Sequence, residues 1–190
     1  MLDTYLIIYR FYNPESDLCK LLVKHSIQVA ELSKQLSQRL INNRVPVDID
    51  FVVEAAMLHD IGIIHTDAQG IFCHGNEPYI RHGIIGRSML EEIGLFRHAL
   101  VCERHTGTGL SKKEIVQQNL PLPQRDMLPL SIEEKVVCFA DKFFSKSHPD
   151  DIRPVEVARG KLMKFGVETV ARFDEMLDMF GAPDYSNQSL

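Results

Sequence analysis

Apolar residues recur at helical spacing along most of this chain. Leu18, Leu21, Leu22, His25, Val29, Leu32, Leu36 and Leu40 form one stripe, which predicts a helix from Glu15 to about Asn42. Asn13-Pro14 and Asn42-Asn43 are stops at its two ends. A second helix is expected from about Asp48 to Asp60, ending near Gly62. Residues 65–77 read as a polar, glycine-containing loop. Pro78 suits the first turn of a third helix reaching about Ile93, and Gly94 separates it from a short fourth helix ending near His105. Residues 106–130 read as a second long loop with a helical turn at Ser111–Gln118. Ser131 opens a helix through Phe144, with Glu133 and Glu134 in its first turn. After Pro154, the residues Val155, Ala158, Leu162, Phe165, Val170, Phe173, Leu177 and Phe180 mark an amphipathic segment, which Gly166 bends or interrupts. Residues 65–77 and 106–130 exceed ordinary connection lengths, which favours a binding or lid role. No strand-like alternation appears, so an all-α helical bundle with long loops is expected.

Several polar residues fall where this pattern predicts a buried face. His25 lies between Leu22 and Val29. Asp141 sits between Phe139-Ala140 and Phe143-Phe144. His82 shares a face with Tyr79, Gly86 and Met89, where Gly86 permits close approach, and His105 follows Val101 and Cys102. His59-Asp60 ends a strongly apolar helix. An imidazole and a carboxylate side by side are costly to bury without a partner, and a metal ion is one such partner. Separate helices each bringing a His or Asp inward are expected of metal sites in bundle cores.

Composition narrows the classes. At 190 residues, 45% hydrophobic and 25% charged, the chain fits one soluble globular domain rather than a disordered one. A net charge of −5 gives no broad field for nucleic acid or anionic membrane. The four cysteines, Cys19, Cys73, Cys102 and Cys138, lie far apart, which disfavours a thiolate zinc site and requires no disulfide framework. No apolar run is long enough for a membrane helix, and the opening Met-Leu-Asp-Thr-Tyr-Leu lacks a basic leader region; the expected compartment is the cytoplasm.

The order His25, His59-Asp60, Asp141 resembles the H…HD…D pattern of the HD superfamily of metal-dependent phosphohydrolases, and His59-Asp60-Ile61-Gly62 its HDIG variant. Residues 79–142 are also similar to a branch of uncharacterised bacterial and archaeal HDIG proteins, through Ile80-Arg81-His82-Gly83, Glu103-Arg104-His105, Leu122 to Asp126 and Glu133 to Lys142. The likeness spans about residues 20–148. It implies one HD domain over 1–190, with a core at about 15–148 and residues 154–181 as a helical extension packed on it. In relatives with both extra histidines, two metals are held and the HD aspartate bridges them. Carried over, His25, His59, Asp60 and Asp141 bind a first ion, and Asp60, His82 and His105 a second, with His59 and Asp60 at the catalytic centre. Imidazole and carboxylate donors suit one or two divalent ions of Fe, Mn, Zn, Co or Ni. The implied reaction is hydrolysis of a phosphoester or phosphoanhydride of a small molecule, a nucleotide or cyclic phosphate, by metal-activated water.

One position departs from the family. Many HDIG proteins carry lysine after the glycine, and this chain has Ile63. Phosphate recognition then falls to other residues, for which Arg81, Arg104, Lys142, Lys146 and His74 are the candidates. Arg104 and Lys142 adjoin proposed ligands, yet helix neighbours point about 100° apart, so a solvated or salt-bridged role is equally open to them. His65, His98 and His148 are read as non-ligands. The Phe and Met residues after Pro154 read as core or as the face of a homodimer. Two other functions fit the resemblance: a non-catalytic binding or regulatory module, and a di-iron oxygenase.

Overall fold

The computed structural model describes residues 2–185. It is all-α with one very small sheet. The helices are α1 (Thr4–Phe11), α2 (Asp17–Asn42), α3 (Ile49–Leu58), α4 (His82–Glu91), α5 (Phe96–Arg104), α6 (Lys112–Gln117), α7 (Ile132–Asp141), α8 (Val155–Leu162) and α9 (Val167–Phe180). The long α2 lies against α3 and α7, and α4 packs along α5. Polar side chains start the principal helices: Ser16 accepts from Cys19 N, Asp48 from Phe51 N and Ser131 from Glu134 N. Most of the predicted stripe of α2 is buried: Leu22, His25, Val29, Leu32, Leu36 and Leu40 face the core, while Leu18 and Leu21 are half-buried at its start.

Four features differ from the reading of the chain. Residues 66–78 are not all loop. Thr66–Ala68 (β1) is the central strand between antiparallel Cys73–His74 (β2) and parallel Glu77–Pro78 (β3). Strands of two or three residues are too short to show alternation. Second, α3 stops at Leu58, so His59 is its cap and Asp60 stands outside the helix with φ −106° and ψ 11°. Third, a 3-10 turn at Tyr79–Arg81 precedes α4, and His82 is the first residue of the helix. Fourth, α1 was not foreseen. Its exposed Tyr5, Leu6 and Tyr9 make it apolar on more than one side, which blurs the helical period. It carries Ile8 and Tyr12 into the core, and the Tyr12 hydroxyl donates to Ile61 O (2.7 Å) and accepts from Ile64 N (3.1 Å). The turn that follows Asp60 is thus clamped by the chain's N-terminal helix.

The C-terminal helices join the same apolar core. Phe173 and Phe180 of α9 meet Phe139 of α7 with ring centroids 5.3 and 5.4 Å apart, and Phe139 lies edge-on to Phe143 at 4.9 Å. Gly166 breaks α8 from α9 with φ +113° after a 3-10 turn at Met163–Phe165. Phe139 and Phe143 flank Asp141 in sequence, so this aromatic cluster fixes the end of α7. Phe173→Ala is expected to cost about 3–5 kcal/mol through the cavity it leaves. Denaturant unfolding checks this, and a loss under about 1 kcal/mol would show that α9 is not part of the core.

Candidate metal centre

Six side chains from five helices and one turn converge below α2. His25 comes from mid-α2, while the others sit at helix ends: His59 caps α3, Asp60 follows it, His82 begins α4, His105 caps α5 and Asp141 ends α7. The helix-end position has a geometric consequence. His59 Nδ1 contacts Ala56 O (2.6 Å), His82 Nδ1 contacts Tyr79 O (2.7 Å) and His105 Nδ1 contacts Cys102 O (2.8 Å). Each ring meets the carbonyl three residues back, with Nδ1–H as the donor. That bond fixes the tautomer and leaves Nε2 as the free ligand atom.

Close backbone approach brings these ends together. A Cβ on Gly62 would lie 2.2 Å from His82 O and 2.4 Å from Gly86 N, and one on Gly83 would lie 2.6 Å from Cys102 O. Only glycine allows the turn after Asp60 to touch the start of α4, and α4 to touch α5.

Asp60 is the centre of the arrangement. It is fully buried, and its two oxygens face different partners. Oδ2 lies 3.2 Å from His25 Nε2 and 3.1 Å from His59 Nε2. Oδ1 lies 3.5 Å from His82 Nε2 and 3.4 Å from His105 Nε2. Asp141 Oδ1 completes the first group at 3.0 Å from His25 Nε2 and 3.6 Å from His59 Nε2. His82 and His105 bring their Nε2 atoms within 3.1 Å of each other. The ligand atoms of His25, His59, Asp60 and Asp141 all lie within 4.8 Å of one another, as do those of Asp60, His82 and His105.

This donor set fits a transition-metal site. His59 Nε2 and both Asp60 oxygens are buried without a hydrogen bond of normal geometry, a costly state unless a cation meets them. One cation is already adjacent: Lys146 Nζ stands 2.5 Å from Asp60 Oδ2. Lys142 Nζ pairs with Asp141 Oδ2 at 2.7 Å and reaches His105 O at 3.2 Å. Burial opposes ionisation of Asp60, but Lys146 and His59 outweigh it and hold the carboxyl well below its ordinary range. Burial likewise opposes Asp141, and Lys142 and Lys146 overcome it. For His59, burial is outweighed by Asp60 and Asp141, which lift it to about 9. Burial pushes His82 down to about 3 against the pull of Asp60, and it lowers His105 as well. The second group therefore presents neutral imidazoles, the form that binds metal.

A cavity of about 620 Å³ opens beside this cluster, lined by Asp141, Lys142 and Lys146 among others. Asp141 is the exposed edge of the cluster, its side chain 13% accessible against 0% for Asp60. Of the five residues proposed from the sequence for phosphate contact, Lys142 and Lys146 line the cavity. The other three do not. Arg81 bonds Glu77 (2.6 Å) and Pro121 O (2.7 Å) and borders a separate cavity. Arg104 forms a bidentate pair with Glu134 at 2.8 and 2.9 Å, and His74 is exposed on β2. His98 is buried against Glu54 and Phe51, away from the cluster. Tyr79, Arg153, Lys161 and Lys164 line the cavity and were not singled out as contacts. Tyr79 stacks on His82 with ring centroids 4.8 Å apart, and its helical spacing to His82 was the available signal. The other three carry no motif.

The sequence model of the HD domain matches residues 22–145, a stretch that includes all six clustered residues. The chain belongs to the HD domain family. That family is typified by metal-dependent phosphohydrolases. Among curated proteins, this HD domain protein is similar to the uncharacterized protein MJ0778 of Methanocaldococcus jannaschii, at 38% identity over 120 residues, 63% of each chain. It is also similar to two proteins named tRNA (cytidine(56)-2'-O)-methyltransferase. The Picrophilus torridus protein is 32% identical over 70% of this chain, and the Thermoplasma volcanium protein 29% identical over 82%. The matches span 37% and 41% of those two proteins. No solved structure matches the chain. Among the described residues, no helix is long and apolar enough to cross a membrane, and all four cysteines are buried and free.

The contact between Gly62 and α4 gives a direct test of how the HD motif is held. Gly62→Ala forces the turn away from His82, at a cost on the order of 1–3 kcal/mol. Metal affinity is expected to fall with it. Unfolding and metal titration measure the two effects, and unchanged values in both would contradict the close approach.

Proposed function

We propose that this HD domain protein is a metal-dependent phosphohydrolase acting on a small phosphorylated molecule of the nucleotide or cyclic-phosphate kind. The observation that carries the reading is the division of the Asp60 carboxylate between two donor groups, beside a cavity lined by lysines. His25, His59, Asp60 and Asp141 would hold one divalent ion, and Asp60, His82 and His105 a second. Such ions, when bound, lower the pKa of an attacking water and neutralise charge on a phosphoryl oxygen.

The chain's own residues do the rest. Backbone carbonyls of Ala56, Tyr79 and Cys102 hold the three imidazoles in one tautomer and orientation. Complete burial of His25, His59 and Asp60 keeps bulk water from the inner face of the cluster. Asp141, its accessible carboxylate, marks the side on which a substrate arrives. Lys142 and Lys146 place positive charge there, where the phosphoryl oxygens must lie. Methyl transfer is not proposed, because a His/Asp metal cluster answers to hydrolytic chemistry and the methyltransferase relatives are matched over less than half their length.

Metal-stripped protein reloaded with Mn²⁺, Fe²⁺, Zn²⁺, Co²⁺ or Ni²⁺ should hydrolyse some member of a panel of p-nitrophenyl phosphate, cyclic nucleotides and nucleoside phosphates. Asp60→Ala should lower that rate by at least about a hundredfold. Absence of hydrolysis with every ion would contradict the reading, as would an Asp60→Ala variant of wild-type activity. Iron-specific oxygen consumption without hydrolysis would replace it by oxygenase chemistry.

A further inference from the structure

The cavity beside Asp141 is more basic than the metal centre needs. Its lining holds Lys142, Lys146, Arg153, Lys161 and Lys164, with Asp141 as its one carboxylate. The chain as a whole carries a net charge of −5, so this concentration of cations is local. Lys142 and Lys146 already face Asp141 and Asp60. Arg153, Lys161 and Lys164 form no close ion pair of that kind among the described residues, although Asp141 and Asp151 attract Arg153 from a distance. The two aspartates offset part of the Arg153 charge, yet the cations of this wall outnumber its one carboxylate, and an anion relieves their mutual repulsion.

Of these three cations, Arg153 is the one held in place by hydrogen bonds. Arg153 is anchored to the end of α7, its backbone N donating to Phe143 O (2.8 Å) and its guanidinium to Lys142 O (3.2 Å). Lys161 lies on α8 and Lys164 in the turn after it, with the Lys164 ammonium 4.8 Å from the Phe165 ring centroid. Leu162 and Phe165 add apolar surface to the same wall. All of these residues fall beyond residues 22–145, the stretch matched by the HD domain model.

We propose that residues 153–164 form a second anion subsite, so that the substrate carries at least one phosphate group besides the one presented to Asp141 and the lysines next to it. The substrate class is then a small organic molecule with two or more phosphates, its reacting phosphate at the metal centre and its distal phosphate against Arg153, Lys161 and Lys164. This assignment rests on the phosphohydrolase reading for the role of the inner subsite, while the outer subsite is testable without turnover.

The test is calorimetric titration of metal-stripped full-length protein, in chelator-free buffer at fixed ionic strength, with inorganic tripolyphosphate and with orthophosphate. Tripolyphosphate should bind at least about tenfold more tightly. The double variant Lys161→Glu/Lys164→Glu, at exposed positions that leave the core intact, should lose about tenfold or more of the tripolyphosphate affinity. Lys34→Glu/Lys112→Glu, which changes net charge equally outside the cavity, should keep it. Equal affinity for the two anions would overturn the proposal. So would an unaffected Lys161→Glu/Lys164→Glu variant, or an equal loss in the control. A protein that passes this test yet hydrolyses nothing would contradict the phosphohydrolase reading alone.

Discussion

A carboxylate with no access to water dominates this molecule. Asp60 is fully buried, and each of its oxygens faces a different pair of imidazoles. An isolated ionised carboxylate in such a place is too costly to persist. Its charge must be met from several sides, and the surrounding fold supplies that. The α2 helix brings His25, α3 ends in His59, α4 begins with His82, and α5 ends in His105. Lys146 adds a full positive charge from the segment after α7.

The scaffold is arranged around helix ends because ends provide both reach and orientation. A histidine at an end bonds the carbonyl three residues back, where carbonyls of the last turn lack an intrahelical partner or can accept a second donor. The same device recurs at His59, His82 and His105. Around it, Gly62 and Gly83 let backbones approach where a methyl group would collide, and Tyr12, at the end of α1, clamps the turn that follows the aspartate. The aromatic contacts of Phe139 and Phe143 with α9 hold the end of α7, and so tie the C-terminal segment to the position of Asp141.

Much of this was legible in the chain. The α2 stripe, the apolar run ending at His59-Asp60 and the carboxylate among phenylalanines at Asp141 all carry strong local signals, because burial makes polar residues conspicuous among apolar ones. All six clustered residues were named on that basis and on the resemblance. What was not legible depends on direction rather than pattern. Arg81 and Arg104 adjoin His82 and His105 in sequence, yet helical rotation turns them outward, onto Glu77 and Glu134. Lys161 and Lys164 lie some twenty residues past Asp141, and the return of the chain at Arg153, bonded to Phe143 O and Lys142 O, brings them to the same cavity. The α1 helix was invisible because it is apolar on both sides, and the three strands because they are too short.

The central claim is that the two oxygens of Asp60 serve two cation sites. The most direct measurement is the metal content of wild-type protein, stripped, reconstituted with Mn²⁺ and freed of excess ion, by elemental analysis against protein concentration. Two ions per chain are predicted. A single ion per chain would contradict the division of Asp60 between two sites, and no retained metal would contradict both sites, because the imidazoles and carboxylates around Asp60 would then satisfy one another without a metal.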